Sequence, residues 1–216
     1  MPSTRDLGAL PSIEGVRSVL KSVAVLDAIL MPEWELRYYS YNGRWGPGEE
    51  MASMRNGSGD EYFVLFVAAG AIIKGFAHES VMGRFASERG SLWPGILEGL
   101  PAEFEGVRSD RAFDINHTSF CLWRRGTDSI WKIGPVEFPD SPDPDGSEAL
   151  LGILDADPRT YQRWSEEYYE RAVPLAAVER VYRHELLTDD LVAQLNAAVR
   201  IADLKDLDEI GYRVAG

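Results

Sequence analysis

Apolar residues recur at helical spacing from Ile13 through Val16, Val19, Leu20, Val23 and Leu26 to Leu30, which predicts an opening helix with one buried face. Ser12 is placed to cap it, because a serine oxygen accepts a free amide of the first turn. Pro32 ends it, since the residue before a proline is pushed out of the α region. The pattern then changes. The stretch Trp34-Glu35-Leu36-Arg37-Tyr38-Tyr39-Ser40-Tyr41 has strand composition, Asn42-Gly43 signals a two-residue turn, and Trp45 opens the return segment.

Met51 to Phe76 reads as a β-meander, with turns at Asn56-Gly57-Ser58-Gly59 and Ala69-Gly70. The unbroken apolar runs Phe63–Val67 and Ala71–Ile73 predict strands central in the sheet. From His78 to Gly106 the pattern loosens, with a short helix expected near Pro101. A second hairpin is expected from Thr118 to Trp123, turning at Gly126-Thr127-Asp128 and returning along Ser129–Ile133. After an acidic, proline-spaced loop the chain turns helical, with helices expected at 148–154, 158–171, 174–184, 188–198 and 201–209. Strands first and helices last predict an α+β fold: an antiparallel meander sheet covered by the N-terminal helix and several C-terminal helices. It is read as one domain over residues 1–216, β-rich over 33–138 and helical over 147–210.

Charge narrows the function classes. The 216 residues carry 35 acidic and 22 basic side chains, a net charge of −13, with the acidic excess in the helical half. No Lys/Arg cluster longer than Arg124-Arg125 is present, so nucleic acid and anionic membranes are disfavoured as partners and a basic protein is favoured. Cys121 is the single cysteine, which excludes an intrachain disulfide and suits a reducing compartment. The apolar stretch Val23–Met31 is interrupted by Asp27 and too short to span a bilayer, and the N-terminus lacks a signal core; a cytoplasmic protein is expected.

Candidate chemistry is sparse. Arg55-Asn56-Gly57-Ser58-Gly59-Asp60-Glu61 is glycine-rich, but it opens a strand and sets two carboxylates where a phosphate would sit, so a hairpin turn is expected. Asp140, Asp143, Asp145 and Gly146 have calcium-loop character. Aligning the glycine, however, leaves Ser141 at the first ligand position and Gly152 where a bidentate glutamate is needed. Asp145 as helix cap with Glu148 three residues on is the expected arrangement, and no metal or cofactor is expected. For catalysis the candidates are Glu61, His78 and Glu79, with Asp60 beside them, as a carboxylate/histidine hydrolase of general acid–base type. Cys121, between Phe120 and Leu122 in a strand, is expected to be buried and inert. Tyr161, Trp164 and Tyr168 share a helical face and are expected to pack. For binding the candidates are Trp34, Tyr38, Trp45, Arg55 and Asp60, because consecutive strand tyrosines point to opposite faces and exposed aromatics anchor interfaces.

At Met54–Phe63, and again at Asp143-Pro144-Asp145-Gly146-Ser147-Glu148, the chain resembles a family of bacterial proteins of uncharacterised activity, and the likeness extends over most of its length. It is more loosely similar, in size, charge and architecture, to the small acidic immunity proteins that neutralise secreted toxins. The resemblance brings no established activity; the skewed charge and the unassigned aromatics point to a binding protein, immunity- or regulator-like, without catalysis, and the hydrolase is the alternative.

Overall fold

The computed structural model describes residues 1–83 and 91–215. The opening helix, α1 (Ile13–Leu30), is capped as expected: the Ser12 hydroxyl accepts the Gly15 amide at 3.1 Å. Five strands follow, β1 (Tyr39–Gly46), β2 (Glu49–Arg55), β3 (Glu61–Val67), β4 (Gly70–Phe76) and β5 (Phe120–Arg125). They form one antiparallel sheet in sequence order, β1-β2-β3-β4-β5. Helices α2 (Gly106–Ser109), α3 (Ser147–Leu151), α4 (Pro158–Tyr169), α5 (Leu175–Tyr182), α6 (Asp189–Leu195) and α7 (Leu207–Ile210) complete the α+β architecture. Among the described residues no helix is long and apolar enough to cross a membrane.

Side-chain alternation gives the sheet two different faces. Tyr41, Met54, Tyr62, Val64, Ile73 and Leu122 point into the main core, against α1 and the C-terminal helices. Phe63, Leu65, Ile72, Cys121 and Trp123 point the other way, into a second core closed by Ile96, Leu97, Phe104, Val107 and Phe113. The strands β3 and β4 lie inside the sheet, as their unbroken apolar runs predict, and are buried on both sides. The loosely patterned stretch expected from His78 to Gly106 falls partly on 84–90, outside the described residues.

Four local expectations are corrected. Trp34–Leu36 is a 3-10 turn, and β1 starts only at Tyr39. Asn42-Gly43 is no hairpin turn but lies inside β1, at a register shift, and Trp45 belongs to the same strand; the chain reverses at Pro47-Gly48, where Gly48 has φ +76°. Gly43 answers to a different demand: a Cβ there would sit 3.1 Å from the Glu209 carbonyl oxygen, so the glycine lets α7 approach the edge of β1. Ser129–Ile133 is not a strand. Only Lys132 pairs with Trp123, through two backbone bonds of 2.8 and 2.9 Å. Lastly, Asp145 does not form a capping box with Glu148. Asp143 caps α3, accepting the amides of Glu148 and Ala149 at 3.2 and 3.0 Å. Asp145 is buried, accepting from the Thr4 hydroxyl and the Ser147 amide, so it ties the N-terminal segment to the acidic loop.

Candidate recognition site

The second face of the sheet is only partly covered. Over β1 and β2 it opens into a groove of about 520 Å³, lined by Trp34, Arg37, Ser40, Asn42, Trp45, Met51, Arg55 and Phe63, with Asp206 and Glu209 on the far wall. Parity explains the floor: Ser40, Asn42, Met51 and Arg55 occupy alternate positions facing away from α1. Trp34 is 51% exposed, and the Arg55 guanidinium lies 5.3 Å from its ring centre, within cation–π reach. The groove therefore presents aromatic and guanidinium surface without first having to fold.

The wall that carries Trp34 and Arg37 is held from beneath by Asp27, which is wholly buried near the end of α1. One Asp27 oxygen accepts the backbone amides of Tyr38 and Tyr39 at 3.0 and 2.8 Å, and the other accepts the Tyr161 hydroxyl at 2.6 Å. Burial pushes the carboxyl up from the usual 3.8 to about 6, and the three donors offset that only in part. Arg37 adds a second tie. It donates to the carbonyls of Met31 and Pro32, each at 2.8 Å, and pairs with Asp206. Neither residue stood out among the sequence candidates. Asp27 had a signal, as the one charge in an apolar helical run; Arg37 had none.

Of the five candidate binding residues, Trp34, Trp45 and Arg55 line the groove together. Tyr38 does not: its ring packs beside the groove against Tyr39, Trp164 and Tyr168, with centroids 4.8 to 5.3 Å apart. Asp60 is turned elsewhere. It accepts the His78 amide at 2.8 Å and meets its Nδ1 at 2.7 Å. Although burial works against ionisation of Asp60, those bonds hold its carboxyl below the usual range, and the same contact raises the His78 pKa.

Of the catalytic candidates, His78 and Glu79 adjoin, with Nε2 3.9 Å from the Glu79 carboxylate, but both lie on open surface at 42% and 89% side-chain exposure. Glu61 is drawn away to the buried Lys74, at 3.1 Å. Asp60-Glu61 are consecutive in a strand entry, so only one of them reaches His78. Cys121 is buried, and burial pushes its thiol up to about 12, outweighing Lys74 and Arg108 nearby. Tyr161, Trp164 and Tyr168 do pack together, Trp164 stacking on Tyr168 at 5.3 Å.

Comparison with family models, with curated proteins and with solved structures finds no match.

Proposed function

We propose that the protein is a recognition module, immunity- or regulator-like, that binds a basic protein partner and performs no chemistry on it. The observation that supports this most is the exposed Trp34 at the mouth of a preformed groove. Tryptophan and arginine are the side chains that most often anchor protein interfaces, and a preformed site loses little entropy on binding. The net charge of −13 adds long-range steering toward a basic surface. The test uses wild-type and Trp34→Ala baits in native lysate at low and high salt. A partner held by the wild type at low salt, released at high salt and lost by the variant is expected. Capture indifferent to both changes overturns the reading.

The hydrolase alternative has the Asp60–His78 contact in its favour. A panel of phosphatase, esterase and glycosidase substrates separates the two, with Asp60→Asn and Glu79→Gln as controls. Turnover abolished by either substitution would establish the enzyme.

A further inference from the structure

A basic partner needs a place for its cations, and the Trp34–Trp45 groove is a poor one. There Arg37 and Arg55 face Asp206 and Glu209, so the lining is neutral, and Arg37 and Asp206 already satisfy each other. A larger cavity of about 820 Å³ lies between the segments Leu92–Glu98 and Pro135–Pro139. Its charged lining, among the described residues, is Glu98 and Glu137 alone, both exposed and in no described ion pair. Most of the remaining lining is ring, Trp93 and Phe138 with Pro94, Pro135 and Pro139, beside Ser91, Leu92 and Gly95.

The cavity is built, not incidental. Its two segments cross at a glycine pair. A Cβ on Gly134 would lie 1.9 Å from the Gly95 carbonyl oxygen, and one on Gly95 would lie 2.5 Å from that of Pro135. Only glycine lets two backbones meet so closely. The Trp93 indole N–H then donates to the Glu137 carbonyl at 3.1 Å and ties the walls together. Leu92, Trp93, Val136 and Phe138 root both walls in the second core. Proline walls have no rotamers left to freeze, so little entropy is lost when something docks on them.

We propose that this groove is the docking site for an extended segment of the partner that carries proline and arginine. The proposal rests on the reading that the partner is basic. Flat rings of Trp93 and Phe138 between proline rings suit a polyproline II ligand, which arrives already ordered. The two carboxylates select arginine over lysine, because a guanidinium stacks on an indole while making a bidentate bond to a carboxylate.

The test is fluorescence anisotropy with a labelled peptide alternating proline and arginine. A proline–glutamate peptide serves as control, and the proteins are wild type, Trp34→Ala and the double variant Glu98→Gln/Glu137→Gln. Both glutamates are exposed, so the double variant is expected to fold normally, as circular dichroism will verify. The wild type binds the cationic peptide and not the acidic one. The double variant weakens it roughly tenfold or more, the scale of losing charge-assisted bonds. Trp34→Ala leaves the affinity unchanged. Equal affinity in wild type and double variant overturns the proposal, as does a loss confined to Trp34→Ala or no binding by the wild type. The wider reading is tested separately by the salt-dependent capture of the native partner, which does not involve this peptide, so the two can fail independently.

Discussion

Asp27 makes a quantitative prediction. Its carboxyl is shifted by burial from 3.8 to about 6, roughly two units, and each unit corresponds to about 1.4 kcal/mol. The folded state therefore holds the Asp27 proton more tightly than the unfolded chain does. That stabilisation is fully present below pH 3.8 and is lost as pH rises through about 6, amounting to roughly 3 kcal/mol in total. Depressed carboxylates such as Glu50 and Asp60 work in the opposite direction, so the pH curve of the wild type alone is not diagnostic. The difference from Asp27→Asn isolates the term. Asparagine keeps one carbonyl for the Tyr38 and Tyr39 amides and turns its NH2 toward the Tyr161 hydroxyl, which then accepts. Urea midpoints of both proteins across the acidic-to-neutral range are the assay. The stability of wild type relative to variant is expected to fall by about 2–3 kcal/mol as pH rises from below 4 to above 7. A difference independent of pH would refute the argument, since it would mean that the carboxyl titrates alike in the folded and unfolded chains.

The remaining predictions are shorter. Gly75→Ala places a Cβ 2.0 Å from the Phe120 ring in the adjacent strand, and a loss of about 1–3 kcal/mol in urea unfolding is expected; an unmoved midpoint contradicts the β4–β5 register. Lys74 and Glu61 are unequal partners, with side chains 1% and 27% exposed. Glu61→Gln strands a buried ammonium and is expected to cost ~3 kcal/mol, whereas Lys74→Met returns Glu61 to water and is expected to be near neutral. Equal losses from the two would show that the pair contributes by attraction alone. Cys121 in the folded protein is expected to resist iodoacetamide near neutral pH and to react only on unfolding; rapid alkylation would mean an activated thiolate.

The elements that follow one strong local period are legible in the chain. The opening helix, the β2–β3–β4 meander and the first four C-terminal helices declare themselves by apolar spacing, Ser12, and the prolines at 32 and 158, whereas the helix expected at 201–209 is a 3-10 turn, Ile201–Asp203, followed by the short α7. Misreadings occur where one signal has two physical origins. Asn42-Gly43 has turn chemistry, but the glycine eases the close approach of α7, some 165 residues later in the chain, which no local window contains. Asp145 and Asp143 are both placed to cap α3, and the choice falls to Asp143 because Thr4, from the other end of the chain, claims Asp145. Trp34, Trp45 and Arg55 were recognisable as surface aromatics and a cation. Their convergence depends on strand pairing, as does the separation of Glu61 from His78.

Groups with displaced pKa values usually mark functional sites, because catalysis needs them. Here the carboxyls displaced upward, Asp27 and Asp145, have 0% and 1% exposure, and each oxygen of both is engaged by an amide or a hydroxyl of the chain itself. No substrate atom reaches them without breaking bonds that fix Tyr38 and Tyr39 at the start of β1 or the N-terminal segment at α3. The carboxylates within reach of a partner behave differently. Glu98 and Glu137 lie beside rings, are exposed and are held by no cation among the described residues. The two buried carboxyls thus hold the chain together, Asp27 at the start of β1 and Asp145 at α3, while Glu98 and Glu137 are left to meet whatever fills the cavity they line.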